Sequence, residues 1–272
     1  MTDAPHMLIE EEGAILIATL NRPEKFNALS NELMATLRAA VLRFRDEAAL
    51  KVMLIRARGK YFSAGADLRE GSPDSGRARD TGVGIREFHR LEMRGMQALW
   101  DEMEHIEKPF VVAHQGTVVG GGLEMSLSCD FRLASHSAAY SLPEGKFGVL
   151  PASNGVSRLT RVIGPHWARY LVMGGFTADA HKAMHMGLIH ELWPDEGFEE
   201  RCLDFCRHLA RQHGEQMGTA KLAIELCADL DREQGRHIER MANSVLMLSP
   251  GYQEIFKSHV SGIGKGKQRD NG

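Results

Sequence analysis

The hydrophobic positions of the first sixty residues follow the order strand, helix, strand. Residues 14–20 and 52–55 are short apolar runs that are typical of buried strands. Between them apolar side chains recur at helical spacing, and Ser30 precedes them where a helix N-cap is expected. The pattern therefore predicts a β–α–β unit. The apolar stripe of its helix consists of Leu33, Leu37, Val41 and Phe44.

Apolar runs and helical stripes continue to alternate over the next hundred residues. An apolar stripe over residues 88–103 predicts a long helix, and residues 110–113 and 131–134 are apolar enough for buried strands. Residues 71–82 are polar and glycine-rich and have no periodicity. That stretch predicts a mobile loop, either a lid or a solvated connector. The alternation as a whole is typical of the α/β class.

The pattern changes after Pro151, where helical segments with short breaks replace the strands. These segments cover residues 156–163, 166–173, 178–186, 198–213, 217–230 and 238–248. A Trp-Pro-Asp sequence at residues 193–195 interrupts them and marks a boundary. We therefore divide the chain into an α/β core of residues 1–195 and a helical C-terminal region of residues 196–272.

Three consecutive glycines, residues 120–122, stand between an apolar run and a short helical segment. Glycines at the start of a helix leave backbone N–H groups open to a ligand, at the positive end of the helix dipole. The segment therefore suits a developing negative charge, and Glu124 falls within one helical turn of it. A buried carboxylate needs a partner or a chemical role. A tight turn with a salt-bridged glutamate explains the same residues equally well.

A second run of small residues, Ser63 to Ala66, follows the strand predicted at residues 52–55. Open α/β architectures place ligands at the carboxyl ends of their strands. Because small side chains expose the backbone, the N–H of Ala66 is a second candidate donor to an anion. Taken without its surroundings, this segment is more simply a turn before a helix.

The composition is that of an ordinary globular protein. The chain has 272 residues, of which 43% are hydrophobic and 25% charged, and its net charge is −3. This charge favours neither nucleic acid nor an anionic membrane as a partner, and no apolar run is long enough for a membrane span. The four cysteines are too few for a disulfide framework, and the N-terminus lacks a targeting pattern. We therefore expect a cytoplasmic protein.

The motifs for metals and nucleotides are incomplete. His181 and His185 share one helix face, but Lys182 stands where a zincin has its glutamate. Met125 occupies the position of the last glycine of a dinucleotide fingerprint. The sequence therefore predicts a site without a metal and without a nucleotide cofactor.

The glycine turn is one of several short segments that occur in a characteristic order. They are Asn21-Arg22-Pro23 with Asn27-Ala28-Leu29, Phe62 to Leu68, Gly120 to Glu124 with Cys129-Asp130, Pro143-Glu144, Gly148 to Pro151, and Arg158 to Gly164. Together these segments resemble the crotonase superfamily, the enoyl-CoA hydratase/isomerase group. One segment would be weak evidence, whereas the ordered set over roughly residues 15–200 is specific.

The resemblance implies a spiral core of repeated β–β–α turns and a helical C-terminal region that assembles a homotrimer or hexamer. It also implies an acyl-CoA substrate and an oxyanion hole formed by the N–H groups of Ala66 and Gly121. The two glutamates of hydratase members correspond to Glu124 and Glu144. Coenzyme A is then part of the substrate, and no separate cofactor is expected. The residues that match the coenzyme A-binding segments of the family include Lys25, Phe26, Ala28, Ala64, Asp67 and Leu68.

The pair of glutamates favours hydration of a 2-enoyl-CoA. One carboxylate activates water at Cβ, and the other, which we assign to Glu144, supplies the proton at Cα. The sequence departs from the hydratases after Pro151, where Ala152-Ser153-Asn154-Gly155 replaces a run close to Gly-Ala-Gly-Gly. This departure keeps open another crotonase reaction, such as isomerisation, dehydration or hydrolysis of an unusual acyl-CoA. A non-catalytic acyl-CoA-binding protein is a further alternative, against which the two glutamates and the glycine turn argue.

Overall fold

The structure, a computed structural model, describes residues 4–68 and 81–262. The loop predicted at residues 71–82 therefore lies outside the described residues, except for its last two positions. The contacts divide the chain into two compact units, Met1–Arg211 and Gln212–Gly272. All the residues predicted for the site belong to the first unit.

The strands of the first unit form two sheets. The larger sheet has the strand order β1-β2-β3-β5-β7-β10, and only its β1–β2 pair is antiparallel in the described part of the chain. The smaller sheet has the order β4-β6-β8-β9, with β4, β6 and β8 parallel to one another. The strands are β1 (Met7–Glu12), β2 (Ile15–Leu20), β3 (Val52–Ala57), β4 (Tyr61–Ser63), β5 (Phe110–His114), β6 (Thr117–Val119), β7 (Phe131–Ser135), β8 (Ala139–Ser141), β9 (Ala178–Asp179) and β10 (Glu191–Trp193).

Helices surround the two sheets and make up the described part of the second unit. Two π-helical turns (His89–Met93 and Arg169–Met173) and two 3₁₀ turns (Pro23–Lys25 and Pro143–Phe147) accompany them. The α-helices are α1 (Asn31–Asp46), α2 (Gly82–Phe88), α3 (Arg94–His105), α4 (Gly121–Leu127), α5 (Gly155–Ala168), α6 (Ala180–His185), α7 (Phe198–Ala210), α8 (Gly214–Cys227), α9 (Arg232–Leu248) and α10 (Pro250–Gly262).

Successive strands alternate between the two sheets and generate a repeated turn. Strand β3 of the larger sheet is followed by β4 of the smaller, β5 by β6, and β7 by β8, and α-helices follow each pair. This repeat confirms the predicted α/β class with a spiral of β–β–α turns. The core between its layers is almost entirely apolar, with Trp100, Phe44, Phe62 and Phe110 fully buried.

The hydrophobic pattern located α1 and the long buried strands correctly. The Ser30 hydroxyl accepts a hydrogen bond from the Leu33 N–H at 3.2 Å, and the predicted stripe of α1 is buried. Strand β1 was missed because it ends in three glutamates, residues 10–12, and pairs only with β2 among the described residues. Strand β6 was missed because its three residues are too few to show a period.

The first unit extends past the boundary predicted at residue 195. Helix α7 contacts strands β2, β3 and β5 of the larger sheet. Because its apolar face needs the sheet to cover it, α7 belongs to the core. The buried residues of that face are Phe198, Cys202, Leu203, Cys206 and Leu209.

The second unit, in its described part, consists of α8, α9 and α10. It exposes many large apolar side chains in the single chain, a property that often marks an interface. Assembly of a trimer or hexamer stays a prediction. The exposed side chains are Leu222, Ile224, Leu226, Met241, Val245, Met247, Leu248, Ile255, Phe256 and Val260.

Residues 4–68 and 81–262 contain neither a membrane-spanning helix nor a cluster of metal-binding side chains. None of their helices combines the length and the hydropathy that a membrane span requires. The same residues contain no group of three or more His, Cys, Asp or Glu side chains arranged to hold a metal ion, so His181 and His185 do not form such a group.

Candidate active site

Three segments with candidate chemistry follow three neighbouring strands of the smaller sheet. Residues 64–66 follow β4, Gly120–Gly122 follow β6, and Glu144 comes shortly after β8. Because these strands are parallel and adjacent, their carboxyl ends lie at one edge of the sheet. The β–β–α repeat therefore brings the three segments together.

Gly120 sets the direction in which the chain leaves β6. Its backbone has φ 51° and ψ −125°, a conformation open to glycine and strained for other residues. A Cβ atom at this position would lie 2.6 Å from Oε1 of Glu144. The Gly120 N–H donates to the Ser141 carbonyl at 3.0 Å and so ties the turn to the end of β8. Both the backbone and the neighbouring carboxylate therefore require glycine here.

The two predicted oxyanion donors lie side by side. A Cβ atom on Gly121 would lie 3.6 Å from the backbone nitrogen of Ala66, and one on Gly65 would lie 3.2 Å from the nitrogen of Gly121. Neither the Ala66 N–H nor the Gly121 N–H donates a hydrogen bond to any residue that the structure describes. Two adjacent N–H groups without a partner form a site for one anionic oxygen atom.

Pairing with Leu29 orients Ala66. The Leu29 N–H donates to the Gly65 carbonyl at 2.8 Å, and the Leu29 carbonyl accepts from the Asp67 N–H at 3.4 Å. These bonds use the residues on either side of Ala66, as in a parallel ladder. Ala66 therefore turns its own N–H away from Leu29 and toward the start of α4.

Glu124 is buried in the first turn of α4. The residue is 6% exposed, and its Oε1 accepts a hydrogen bond from the Ser153 N–H at 2.9 Å. The Ser153 hydroxyl is also buried and makes no well-aligned hydrogen bond within the described chain, yet it lies close enough to affect the carboxylate. Burial raises the pKa of Glu124, while the Ser153 hydroxyl and N–H, the Gly155 N–H and the charge of Arg158 oppose the rise.

Glu144 has a different environment in the 3₁₀ turn after β8. Its Oε2 atom is buried and has no hydrogen-bond partner among the described residues. Burial raises the pKa of Glu144, its own backbone N–H opposes the rise, and the nearby charge of Glu124 adds to it. The protonated form of Glu144 is therefore favoured relative to an exposed glutamate.

The predicted catalytic residues thus come together around one glycine turn. Two N–H groups lie side by side, and two carboxyl groups with raised pKa values flank them. Such an arrangement can stabilise an oxyanion and transfer protons on either side of it. The alternative of a salt-bridged structural glutamate does not fit, because Glu124 accepts from a backbone N–H and forms no salt bridge in the described chain.

The residues predicted to contact coenzyme A lie in two adjoining segments, residues 25–28 and 64–68. A hydrogen bond from the Ala64 N–H to the Phe26 carbonyl, at 2.9 Å, joins them. The Phe26 ring is half exposed and packs on Tyr61 at a centroid distance of 4.8 Å. The segments therefore present an open surface beside Ala66, and its contact with coenzyme A stays a prediction. The exposed members are Lys25, Phe26 and Leu68.

Two further side chains hold these segments together, and sequence reasoning gave them no role. The Arg22 guanidinium pairs with the Asp67 carboxylate at 2.5 Å, so that this predicted contact residue also fastens the fold. Asn27, with φ 53°, donates through Nδ2 to the carbonyls of Arg58 and Tyr61 at 2.7 and 2.8 Å. An asparagine after a proline turn is a signal for left-handed backbone, and it was available in the sequence.

Ser153 and Arg158 were also missed as parts of the site. The sequence marked the residues after Pro151 as a departure near Glu144, but Ser153 and Gly155 contact Glu124, and Arg158 donates to the Ser153 carbonyl. A Cβ atom on Gly155 would lie 2.6 Å from Oε1 of Glu124, so the last position of this stretch must stay bare.

Comparison with known proteins agrees with this geometry. The sequence model of the enoyl-CoA hydratase/isomerase family matches residues 10–254. The chain belongs to this family, and so to the crotonase superfamily that its motifs resemble. Membership makes it a crotonase-type enzyme that acts on acyl-CoA.

Individual relatives cover nearly the whole chain. A probable enoyl-CoA hydratase of Rhizobium meliloti (strain 1021) is 30% identical over 255 residues, which are 94% of this chain and 95% of that protein. A carnitinyl-CoA dehydratase of Salmonella agona (strain SL483) is 31% identical over 256 residues, 94% of this chain and 87% of that one. The crystal structure of an enoyl-CoA hydratase subunit I from Geobacillus kaustophilus HTA426 superposes with a TM-score of 0.85 at 30% identity, covering 94% and 95% of the two chains.

Proposed function

We propose that this protein is an enoyl-CoA hydratase that adds water across the 2,3 double bond of a 2-enoyl-CoA. The observation that carries the proposal is the convergence, at one turn, of two carboxyl groups and two N–H groups that have no partner in residues 4–68 and 81–262. Hydration of a conjugated thioester needs an acceptor for charge on the carbonyl oxygen, a base for water and an acid for carbon. The site offers a group for each of these tasks.

The thioester oxygen is proposed to bind between the N–H groups of Ala66 and Gly121. Attack of water at Cβ moves negative charge onto this oxygen, and the two donors meet it without reorganisation because Leu29 and the Gly120 turn hold them. The N-terminal end of α4 adds its dipole in the same direction. One such donor is typically worth about 3–4 kcal/mol in the transition state.

Glu124 is proposed as the base that activates water, and Glu144 as the acid that protonates Cα. Ser153 and Gly155 direct N–H groups toward Glu124, and such donors favour a carboxylate. Oε2 of Glu144 has no partner in the part of the chain that the structure describes, and the charge of Glu124 further raises the pKa of Glu144. The two environments therefore separate the two roles, as general acid–base catalysis requires.

The coenzyme A part of the substrate is proposed to lie along residues 25–28 and 64–68. Coenzyme A is then bound as part of the substrate and not as a separate cofactor.

We also propose that α8 to α10 assemble the protein as a homotrimer or hexamer through their exposed apolar side chains. Sedimentation showing only monomer at micromolar concentration would contradict this assembly. A cytoplasmic location fits the four unbonded cysteines, which lie in the described chain.

A second reaction of the same class deserves a direct test. The stretch Ala152-Ser153-Asn154 lies against Glu124 where the sequence departs from a glycine-rich run. The 31% identical Salmonella relative is named as a dehydratase, which removes water from a hydroxylated thioester. Dehydration uses the same oxyanion and the same pair of carboxyls in reverse, so the site suits it equally.

A panel of thioesters separates these possibilities. The purified protein is incubated with 2-enoyl-, 3-enoyl- and 3-hydroxyacyl-CoA of several chain lengths, and the products are read by mass. Hydration adds 18 mass units, dehydration removes them, and isomerisation leaves the mass unchanged while the double bond moves. Release of free coenzyme A, detected with a thiol reagent in step with substrate loss, would overturn the hydratase proposal. Binding of thioesters without turnover would indicate a non-catalytic protein.

A further inference from the structure

We propose that Arg158 is a positioning residue for Glu124 and acts through Ser153. The inference rests on the proposed role of Glu124 as the base, and it concerns a side chain on α5 that the reaction itself does not touch. Its basis is a continuous chain of contacts from α3 through Arg158 and Ser153 to the Glu124 carboxylate.

Arg158 is buried and held in one orientation by α3. Its side chain is 8% exposed. The guanidinium donates through Nε and Nη2 to the two carboxylate oxygens of Glu104, each at 2.6 Å, and through Nη2 to Asp101 at 2.6 Å. A forked pair of this kind fixes the plane of the guanidinium as well as its position.

The remaining nitrogen of Arg158 connects this ion-pair cluster to the site. Nη1 donates to the Ser153 carbonyl at 3.3 Å, and the N–H of the same residue donates to Glu124 at 2.9 Å. Ser153 is therefore held at its carbonyl by Arg158 while it holds the carboxylate with its N–H. A shift of Arg158 would move the donor that orients Glu124.

Two more hydrogen bonds fasten the same stretch to α3. The Gln97 side chain donates to the Ala152 carbonyl at 2.9 Å, and the Asn154 side chain donates to Asp101 at 3.3 Å. Asn154 adopts φ 66°, which asparagine tolerates better than most residues. The stretch from Ala152 to Gly155, which lacks the bare backbone of the glycine-rich form, is thus braced on both sides of Ser153.

The charge of Arg158 acts in the same sense as its hydrogen bond. The titratable groups that face Glu124 are Glu144 from the 3₁₀ turn and Arg158 from α5, with Asp101 and Glu104 of α3 behind Arg158. The side chains of Asp101 and Glu104 are 44% and 31% exposed, so water screens their charges more than that of Arg158. Arg158 therefore helps to keep the carboxylate of Glu124 ionised.

The test compares Arg158→Met, Arg158→Lys and a matched control, Arg56→Met. Arg56 also pairs with two glutamates, Glu10 and Glu199, but it lies on β3 and contacts none of the groups around Glu124 that the structure describes. The first readout is the titration of the Glu124 carboxyl in the ligand-free protein, followed by ¹³C NMR with glutamate labelled at its carboxyl carbon. Glu124→Gln assigns the signal. The second readout is the pH profile of kcat/KM.

Arg158→Met should raise the pH of the Glu124 titration and the pH of the acid limb of kcat/KM together and by the same amount, with kcat/KM reduced below that limb. Activity should recover toward alkaline pH, because the base is then ionised again. Arg158→Lys keeps the charge and should return the pH of the Glu124 titration most of the way to its original value. The kcat should stay reduced, because one ammonium group cannot make the forked hydrogen bonds of the guanidinium. Arg56→Met should leave both readouts unchanged.

A merely structural ion pair predicts another result. Arg158→Met would then lower the Tm while the carboxyl titration and the acid limb stayed at their original pH, and this outcome would overturn the proposal. If Arg158→Met does not fold, Arg158→Gln combined with Glu104→Gln removes the charge and keeps hydrogen-bonding groups, and an unshifted titration there overturns it as well. Because the titration needs no substrate, a failure of the hydratase proposal in the thioester panel is seen separately.

Discussion

Glu124 and Glu144 flank the same glycine turn, but the protein surrounds them differently. The Glu124 side chain lies between α4 and α5. One of its carboxylate oxygens accepts from the Ser153 N–H, and Arg158 donates to the carbonyl of the same serine. Glu144 lies in a short 3₁₀ turn, and its Oε2 is buried without a partner in the described chain. Both carboxyls have pKa values raised by burial, but only Glu124 has several groups that oppose the rise.

The difference shows that residue type does not decide the role of a carboxyl group. Two glutamates of equal intrinsic acidity become a candidate base and a candidate acid because several donors surround one of them, whereas Oε2 of the other has no partner among the described residues. The donors are the hydroxyl and N–H of Ser153 and the N–H of Gly155, on the stretch that precedes and begins α5. The variants below test this contrast, beginning with the largest expected effect.

Replacing either carboxyl removes one half of the pair. Glu124→Gln and Glu144→Gln should each reduce kcat for hydration by about 10²–10⁴-fold, the usual contribution of a general acid or base. The double variant should lose little more than the worse single variant, because the two groups act as a unit. Steady-state kinetics on the thioester found in the panel measures these effects. Retention of one single variant near full activity would favour an isomerase, which can work with one carboxylate.

Two glycines allow the carboxyls to be displaced one at a time. A Cβ atom on Gly155 would lie 2.6 Å from Oε1 of Glu124, and one on Gly120 would lie 2.6 Å from Oε1 of Glu144. Gly155→Ala and Gly120→Ala should each reduce kcat/KM by roughly 10–10²-fold, since small misplacements of catalytic groups are costly. The acid limb of the pH profile should change with Gly155→Ala and the alkaline limb with Gly120→Ala.

Gly214→Ala is the matched control for these variants. Gly214 is also the first residue of a helix, α8, and a Cβ atom there meets nothing within 4 Å. Its activity should stay at the level of the unchanged protein. If Gly155→Ala and Gly120→Ala changed the same limb, the separate roles of the two carboxyls would be refuted.

The fold class could be predicted from local signals, whereas the candidate site residues came largely from the ordered motifs that resemble the crotonase superfamily, and their roles stay a prediction. The stripe of α1 has a clear helical period, β5 and β7 are recognisable as continuous apolar runs, and the glycine turn has a distinctive composition. Strands β4, β6 and β8 have three residues each, too few for any period, although they carry the site.

The surroundings of the carboxyls were beyond prediction from local pattern. The bond from Ser153 to Glu124 joins residues 29 positions apart, and the pair of Arg158 with Glu104 joins residues 54 positions apart. Such contacts depend on how α3, α4 and α5 pack, and no run of residues encodes that packing locally. The contrast between the two glutamates is for this reason a result of the tertiary structure.

The smallest expected effect concerns stability and distinguishes the same two side chains. Burial raises the pKa of both carboxyls above the ordinary value of 4.5. The folded state therefore binds their protons more readily than the unfolded state. Above the folded pKa, where both carboxyls are ionised, their burial lowers the free energy of unfolding. Below about pH 4.5, where they are protonated in both states, it has no effect.

Glu144→Gln should accordingly raise the Tm by about 2 °C at pH 8 and leave it unchanged at pH 4. Glu124→Gln should raise the Tm at pH 8 by a smaller amount, because the N–H groups of Ser153 and Gly155 lose their anionic acceptor. Thermal unfolding followed by circular dichroism at both pH values provides the measurement, and an equal gain for the two variants would show that the surroundings of the two carboxyls do not differ in energy.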